Sequence, residues 1–357
     1  MNSKKENIIL TGGYGFIGSH LVKSLIKKQN HNIINIDNLS YSSNLKTLQS
    51  IDEACYEHLN IDIGEFNEFE TIFNKYNPVK VFHLAAESHV DRSIDGPDIF
   101  VKTNILGTFN ILDGLRKHLN GLPSSKRDNI RLIHISTDEV YGSIKKGKSS
   151  ENDNLRPNSP YSSSKASSDL IVRAWNRTYN LPVVTTRCTN NYGPWQFPEK
   201  LIPLVVNKIM NNKKIPVYGT GEQIRDWIHV KDHVEALIAL SESSINISGE
   251  IYNIGSENQI SNLDLVKKIC KICDNEIPPK KGSYLDLISF VDDRPGHDYR
   301  YALDTKKIIS DIDWSPKFTF DNGLKNTITW YIENHSSLSS YFKSDYDGGR
   351  IGLGKEI

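Results

Sequence analysis

The sequence lacks a long hydrophobic run, an excess of charge of either sign and a high cysteine content. A membrane-spanning helix needs roughly 20 consecutive apolar residues, and no such run occurs, so we expect no membrane partner. Lysine plus arginine equals aspartate plus glutamate at 43 each, so no global field attracts nucleic acid and any anion site must be local. The first residues pass into a Gly-rich turn without the apolar stretch of a signal peptide, and we therefore expect a cytoplasmic protein.

The cysteines offer neither a disulfide framework nor a complete zinc site. They are Cys55, Cys188, Cys270 and Cys273, and the last two form a CxxC motif. No second pair follows at the spacing of a zinc site. Apolar residues between positions 263 and 273 recur at helical spacing together with both cysteines. We therefore interpret the motif as part of a buried helix face, and we predict no metal site.

The pattern of apolar runs points to a layered fold. The 357 residues exceed one typical domain of roughly 100 to 200 residues, which favours two lobes. Short apolar runs alternate with helical patterns at residues 8–10, 17–28, 33–36, 79–84 and 131–135. This alternation predicts an α/β fold with a doubly wound parallel sheet, the Rossmann architecture. Ligands of such folds bind at the carboxyl ends of the strands, so chemistry is expected just after each apolar run.

The composition changes near residue 190, where prolines interrupt the pattern and the predicted helices become short. We predict a Rossmann domain over residues 1–190 and a smaller substrate-binding lobe over residues 191–335, from which some segments return to the first domain. Residues 336–357 are rich in serine, glycine and charge without periodicity, and we predict that they form a C-terminal tail.

A dinucleotide-binding fingerprint follows the first apolar run. Its glycines are Gly12, Gly15 and Gly18 in the segment TGGYGFIG, and a helical pattern begins at once. Glycine permits a tight turn, and a helix N-terminus supplies N–H groups for a pyrophosphate. Asp37 ends the next apolar run, where it can accept from a ribose 2′-hydroxyl. A carboxylate there repels a 2′-phosphate, which favours NAD over NADP. The plainer alternative for Asp37 is a solvated turn residue.

Two later strand ends fit the same dinucleotide site. Asp62 and Ile63 are placed to meet an adenine, and the small residues of the segment Leu84–Ser88 let backbone lie against a cofactor. The segment Asn104–Thr108 opens a helix behind them in this prediction. Plain packing of that helix on the sheet explains the segment equally well.

Tyr161 and Lys165 stand four residues apart at the start of a helical pattern, and so share one face of the predicted helix. A tyrosine with a reference pKa of about 10 is a poor base at neutral pH. A neighbouring ammonium group and a positive nicotinamide ring both favour the phenolate, which predicts that Tyr161 is the base for an alcohol. The motif alone arises often by chance, and its weight comes from the fingerprint upstream.

Adjacent acids follow the apolar run at residues 131–135. Thr137, Asp138 and Glu139 stand where a central strand is predicted to end. Two neighbouring carboxyls beside the apolar interior of a sheet repel each other and are poorly solvated, which costs free energy. Such a pair is unusual at a strand end unless it has a function. Two carboxyls in one cleft can be pushed apart in pKa, one remaining a protonated acid and the other an ionised base. Dehydration needs such a pair, whereas the plainer alternative is an exposed acidic turn.

With these motifs the sequence resembles the extended short-chain dehydrogenase/reductases and, within them, the dTDP-glucose 4,6-dehydratase family. The resemblance runs from about residue 7 to about residue 335, through LAAESHVDRSI, STDEVYG, NNYGPWQFPEKLIP, GEQIRDWIHVKDH, YNIG and DDRPGHDYRYALD. Related epimerases usually carry Ser-Ala-Thr-like residues in place of Thr137-Asp138-Glu139, so the acid pair is the discriminating feature. Tyr14, a small insert at residues 124–129 and the tail depart from the family pattern, and Tyr14 is expected to narrow the approach to the phosphates.

The resemblance implies NAD as the cofactor and a nucleotide-sugar as the substrate. It implies cofactor contacts from Gly12, Gly15, Phe16, Ile17, Gly18, Asp37, Asn38, Asp62, Ile63, Leu84, Ala85, Ala86, Ser88, Thr103, Tyr161, Lys165 and Asn191. It implies substrate contacts from Ser88, Thr137, Asn190, Lys200, Leu201, Pro216, Val217, Tyr218, Arg225, Asn262, Arg294 and His297. Lys200, Arg225 and Arg294 would form a local basic clamp on a pyrophosphate, although each could instead belong to a surface ion pair.

The resemblance also implies a catalytic set of Thr137, Asp138, Glu139, Tyr161 and Lys165. Tyr161 would deprotonate the 4-hydroxyl of the sugar as hydride leaves for NAD, while Thr137 holds that hydroxyl. Glu139 would then take the carbon-5 proton and Asp138 would protonate the departing 6-hydroxyl. The alternatives are a sugar-nucleotide 4-epimerase, a dehydratase for a UDP- or GDP-sugar, and a non-catalytic NAD-binding regulator. Family likeness further implies a homodimer through helices near residues 99–119 and 161–179.

Overall fold

A computed structural model describes residues 5–127 and 129–338 of the chain. Seven strands, numbered with the others along the chain, form its central parallel sheet: β1 (Glu6–Thr11), β2 (His31–Ile36), β3 (Tyr56–Leu59), β4 (Lys80–His83), β5 (Arg131–Thr137), β6 (Val183–Cys188) and β10 (Ile251–Ile254). Their order in space is β10-β6-β5-β4-β1-β2-β3. Successive strands are therefore added in one direction from β1 to β3 and in the opposite direction from β4 to β10. A crevice opens at the carboxyl ends of β1 and β4, where the direction reverses. The predicted doubly wound α/β fold is confirmed.

Helices cover both faces of this sheet. One face carries α1 (Phe16–Lys27), α9 (Val230–Glu242) and α11 (Lys306–Ile312), and the other carries α2 (Phe69–Tyr76), α5 (Gly107–Asn120) and α7 (Pro160–Tyr179). Strands β1, β5 and β6 are buried on both sides over most of their length, which explains their near-continuous apolar runs. Three short helices, α3 (Val90–Asp95), α4 (Asp98–Phe100) and α6 (Ser124–Arg127), join these layers.

A second apolar core lies in the later part of the chain. It packs α8 (Leu201–Met210), α10 (Asn262–Glu276) and α12 (Phe320–Asn334) around short strands. These strands are β7 (Asn190–Tyr192), β8 (Ile215–Tyr218), β9 (Ile224–His229), β11 (Gln259–Ser261) and β12 (Ile288–Val291). Cys270 and Cys273 are fully buried in this core, as the helical spacing predicted.

The division of the chain into lobes at residue 190 stays a prediction. Strand β10 joins the central sheet and α9 packs against α1, so residues 230–254 belong to the layers of the first half. Of the predicted tail at residues 336–357, the part after position 338 lies outside the described residues. No helix in the described ranges is long and apolar enough to cross a membrane.

One helix begins earlier than the sequence indicated. The segment at residues 104–108 was expected to open a helix, but helical structure already starts at Asp98 and runs through a π-helical stretch, Val101–Leu106, into α5. Asn104 is therefore held inside the helix. Its side-chain oxygen accepts from the backbone N–H of Glu87 at 2.9 Å, and its side-chain NH₂ donates to the carbonyl oxygen of Glu87 at 3.0 Å. These two bonds fix the loop after β4. That contact goes beyond plain packing of the helix on the sheet.

Candidate active site

The carboxyl ends of β1 to β6 surround one cavity. Its wall contains the residues that follow β1, β2, β4, β5 and β6 directly, together with the first turns of α1 and α7. The acids after β5 therefore face the same space as the glycines after β1. The two motifs are more than 100 residues apart in sequence, and the parallel sheet brings them together because all its strands end at one edge.

The turn after β1 has no room for side chains. A Cβ on Gly12, whose φ is +78°, would lie 2.8 Å from the backbone nitrogen of Ala85, and a Cβ on Gly18 would collide with the carbonyl oxygen of Gly12. The turn thus approaches the end of β4 as closely as backbone allows. Helix α1 begins after Gly15 without a side-chain cap, so the N–H groups of its first turn are available to an anion.

Asp37 follows β2 and is buried in the cavity wall. Its carboxylate accepts from the backbone N–H groups of Tyr14 and Leu39, both at 2.9 Å, and from the hydroxyl of Ser43 at 3.0 Å. The carboxylate therefore organises the turn in addition to lining the cavity. The expectation that Tyr14 narrows the cavity is wrong, because its ring packs edge-on against Tyr56 and His58 in the core and is absent from the cavity wall of the described residues.

Asp138 and Glu139 are held in different electrostatic environments. Asp138 is 2% exposed, it accepts from the Thr137 hydroxyl at 3.3 Å, and its second oxygen has no hydrogen-bond partner among the residues described. Burial and the neighbouring Glu139 raise the pKa of Asp138 well above its usual value. Burial also raises the pKa of Glu139, but three cations, Arg294, Arg225 and Lys200, oppose that shift. The pKa values of both carboxyls are therefore raised, that of Asp138 further than that of Glu139.

Tyr161 lies in the first turn of α7, which the Ser159 hydroxyl caps by accepting from the backbone N–H of Ser162 at 3.1 Å. Burial and the negative charge of Glu139 raise the pKa of the Tyr161 phenol well above its usual value. The pKa of the phenol is therefore raised in the protein itself, and the expectation that Tyr161 becomes a phenolate base stays a prediction. Lys165 donates to the carbonyl oxygen of Ile135 at 2.8 Å.

A second cavity opens from the first. Both have Ser88, Glu139, Asn190, Gln196, Glu199 and Lys200 in their walls. The second cavity continues between α3, α8, β8, β9 and the loop that follows β12. Glu139 thus stands where the two cavities meet.

The wall of the second cavity carries three cations, of which Arg225 is buried and Lys200 and Arg294 are partly exposed. Arg294 pairs with Asp91 at 2.6 Å, and Lys200 donates to the carbonyl oxygen of Ser88 at 2.8 Å. Arg225 donates to the carbonyl oxygen of Asp298 at 2.9 Å and lies over the ring of Tyr301. The alternative of exposed surface ion pairs does not apply, since only Arg294 of these three has a carboxylate partner in the described part of the chain and that pair is partly buried, with side chains 18% and 5% exposed.

The structure brings the predicted site residues together in these two walls. Every predicted cofactor contact, from Gly12 to Asn191, lies in the wall of the first cavity, as do all five predicted catalytic residues. Every predicted substrate contact lies in the second wall except Thr137, which lies in the first. Their individual roles stay predictions.

The sequence reasoning missed a cluster around Glu199, a residue in the walls of both cavities. Tyr41 donates to Glu199 at 3.0 Å, Arg92 donates to the same carboxylate at 2.9 Å, and the guanidinium lies over the Tyr41 ring. The loop after β2 is thereby joined to the segment that carries Lys200. Glu199 stands next to Lys200 in a segment quoted for the resemblance, but its partners are more than 100 residues away, and no spacing rule finds them.

The comparisons with known proteins agree with this geometry. A family model described as GDP-mannose 4,6 dehydratase matches residues 9–327. The dTDP-glucose 4,6-dehydratase of Salmonella typhimurium is 46% identical over 361 residues, which cover 96% of this chain and 99% of the relative. The chain belongs to the dTDP-glucose 4,6-dehydratase family.

Solved structures of this dTDP-glucose 4,6-dehydratase family share the fold. The Bacillus anthracis enzyme in complex with NAD is 40% identical with a TM-score of 0.82, and the alignment covers 94% of this chain and 99% of that one. The Streptomyces venezuelae enzyme with NAD bound is 37% identical with a TM-score of 0.84 and the same coverage. The fold class predicted from the sequence is therefore that of solved family members.

Proposed function

We propose that the chain is an NAD-dependent dTDP-glucose 4,6-dehydratase, a carbon–oxygen lyase that converts dTDP-glucose to dTDP-4-keto-6-deoxyglucose and water. The observation that carries the proposal is the acid pair Asp138 and Glu139, whose pKa values are raised to different extents. Glu139 lies where the first cavity, which we assign to the cofactor, meets the second, which we assign to the substrate. A 4-epimerase needs the oxidising part of this site but has no use for an acid and a base aimed at carbons 5 and 6.

The residues of the first cavity fit NAD. The glycine turn leaves a cradle that a Cβ would fill, and the uncapped N-terminus of α1 suits a pyrophosphate. The buried carboxylate of Asp37 suits a ribose hydroxyl and repels a 2′-phosphate. When bound, NAD supplies a positive ring that favours the Tyr161 phenolate, and a hydride acceptor at carbon 4 that later becomes the hydride donor at carbon 6.

Tyr161 and Thr137 act on the 4-hydroxyl in this proposal. The phenol is protonated in the protein by itself because burial and Glu139 disfavour its charge. It becomes a base when the positive ring of the oxidised cofactor adds to the charge of the Lys165 ammonium, which couples deprotonation of the sugar to the presence of oxidised cofactor. Thr137 orients the hydroxyl, and its backbone position is fixed because its side chain accepts from the N–H of Glu139 at 3.3 Å.

Glu139 and Asp138 carry out the elimination. The new ketone acidifies carbon 5, and Glu139, whose upward pKa shift is opposed by the nearby cations, takes that proton. Asp138, kept protonated by burial, gives its proton to the departing 6-hydroxyl, which leaves as water. The protonated Glu139 is then placed to return a proton to carbon 5.

The second cavity binds the nucleotide part of the substrate. Lys200, Arg225 and Arg294 provide local positive charge in a chain of zero net charge, which suits a pyrophosphate. Specificity for the thymine base rests on this wall as well, and family membership is what supports dTDP over UDP or GDP.

We also propose that the chain forms a homodimer. Six apolar side chains on α5, α7 and the helical turns before α5 are exposed by 37% to 59%: Ile99, Val101, Leu106, Phe109, Leu170 and Tyr179. Exposed apolar side chains on neighbouring helices suit contact with a second copy. Sedimentation analysis should give twice the chain mass, and Leu106→Glu together with Leu170→Glu should give the single chain. Location in the cytoplasm stays the prediction made from the sequence.

The direct test is incubation of the NAD-loaded protein with dTDP-glucose, UDP-glucose and GDP-mannose, followed by mass detection of the products. We expect loss of one water from dTDP-glucose with a large preference over the other two sugars. A product that retains its 6-hydroxyl with inverted carbon 4 would support an epimerase instead.

A further inference from the structure

A cluster of buried charges lies beneath the catalytic face of α7 and takes no part in the chemistry described above. Asp169 accepts from Nε of Arg187 at 2.9 Å and contacts Nε2 of His134 at 3.3 Å. Arg187 in turn donates to the hydroxyl of Tyr141 at 2.8 Å. Asp169, Arg187 and His134 are each at most 4% exposed, so the charges of Asp169 and Arg187 are not screened by water.

Helical spacing joins this cluster to the catalytic pair. Tyr161, Lys165 and Asp169 follow one another at intervals of four residues and so share one face of α7. The Lys165 amine donates to the carbonyl oxygen of Ile135 in β5, and the neighbouring residue of that strand, His134, contacts Asp169. The strand and the helix therefore hold Lys165 and Asp169 side by side.

The ionisable groups that face Lys165 come from α7, β4, β5 and β6. The thiol of Cys188 is neutral because burial raises its pKa to about 12, and His83 and His134 are neutral because burial lowers their pKa values. Tyr161 is a neutral phenol. Burial alone would raise the pKa of Asp169, but its contacts with His134 and Arg187 outweigh burial and lower it, so Asp169 is ionised.

We propose that Asp169 is a positioning residue for the reaction, since its carboxylate, held by Arg187, supplies the counter-charge that keeps the buried Lys165 ammonium protonated beside the phenol of Tyr161. The proposal rests on the proposed function only in that Lys165 must carry its charge when Tyr161 gives up a proton. Burial lowers the pKa of Lys165 to about 8, against the opposing influence of Asp169. A further fall in this pKa would therefore leave much of Lys165 uncharged at neutral pH.

Substitutions in this cluster can remove either a negative or a positive charge near Lys165, and the two should shift its pKa in opposite directions. Asp169→Asn removes the counter-charge, so the pKa of Lys165 should fall and the alkaline limb of the rate profile should move to lower pH by about one unit or more. Arg187→Gln removes the cation that faces Asp169, so the limb should move to higher pH. Asp169→Glu keeps the carboxylate and should restore the profile of the native protein. Tyr141→Phe removes a partner of Arg187 without changing charge and should leave the limb in place.

The experiment records two readouts for the NAD-loaded protein and these variants. The first is the pH dependence of NADH formation on mixing with dTDP-glucose. The second is the titration of Lys165 by carbon-13 NMR of labelled lysine, assigned by comparison with Lys165→Met, which needs no substrate. A failure of the proposed function would abolish the first readout and leave the second intact.

Opposite shifts in Asp169→Asn and Arg187→Gln, seen in both readouts, would support the proposal. A lysine titration in Asp169→Asn equal to that of the native protein would overturn it. Shifts of the same sign in both variants would also overturn it, because general structural damage has no reason to follow charge. Should Asp169→Asn fail to fold, Arg187→Gln against Tyr141→Phe still gives the sign.

Discussion

The two cavities that meet at Glu139 are built in different ways. The cofactor cavity uses backbone and glycine after strands of one sheet, so its parts are regular in sequence and nearly free of cations. The substrate cavity collects charged side chains from α3, β9, the start of α8 and the loop after β12. The first therefore depends on close backbone approach, and the second on buried charge. Changes in one should alter cofactor retention, and changes in the other should alter substrate binding.

The largest effect is expected in the first cavity, at the phenol of Tyr161. Tyr161→Phe removes the group that accepts the proton of the 4-hydroxyl, so oxidation should fall by about 10²- to 10⁴-fold. The measurement is the near-ultraviolet absorbance of NADH in a single turnover with dTDP-glucose. NADH appearance as fast as in the native protein would contradict the role of Tyr161.

Glu139→Gln should separate the oxidation from the elimination. The ketone can still form, but the carbon-5 proton has no base, so product formation should fall by about 10²-fold or more while NADH accumulates. Rapid quenching with mass detection of the 4-keto sugar that retains its 6-hydroxyl checks this. Unchanged turnover would refute the assignment, and an unchanged unfolding temperature is the control for folding.

Arg225→Gln should affect the substrate cavity alone. One charge-assisted hydrogen bond is worth about 1.5 to 3 kcal/mol, so KM for dTDP-glucose should rise by roughly 10- to 100-fold with little change in bound NAD. The matched control is Arg300→Gln, an arginine that contacts Gln259 and the carbonyl oxygen of Gly147 away from the cavity. An equal rise of KM in both variants would argue against a pyrophosphate clamp.

Gly18→Ala should affect the cofactor cavity alone, with the smallest expected effect on the sugar site. The added Cβ would collide with the carbonyl oxygen of Gly12, and such overpacking costs about 1 to 3 kcal/mol. The NAD content of the purified protein should fall, while KM for dTDP-glucose in NAD-saturated protein should not change. Gly121→Ala is the control, since a Cβ there meets only the carbonyl oxygen of His118 at 3.4 Å. Full NAD content in Gly18→Ala would contradict the claim that the first cavity depends on close backbone approach.

The difference between the cavities also explains what the sequence alone could predict. The strands, the glycine turn, Asp37 and the acids after β5 were predicted because each is fixed by a local pattern and by the edge of a parallel sheet. The substrate wall was reached only through family resemblance, because its residues meet through long-range packing. The partners of Glu199 and the pairing of Asp169 with Arg187 were missed for the same reason.

Side-chain direction and burial depth set the other limits. Tyr14 was expected near the phosphates, but packing against Tyr56 and His58 turns it into the core. The raised pKa of Tyr161 could not be predicted from its spacing to Lys165, since it depends on burial and on Glu139, which lies on another element. Spacing shows which residues share a helix face but not how far that face is from water.

The most direct test of the account follows the hydrogens of the substrate. NAD-loaded protein is given dTDP-glucose that carries deuterium at carbon 4, and the product is analysed by NMR and mass spectrometry. If Tyr161, Asp138 and Glu139 converge on one hexose, the deuterium will be found at carbon 6 of the 4-keto-6-deoxy product. Deuterium retained at carbon 4 of a sugar that keeps its 6-hydroxyl would contradict the account.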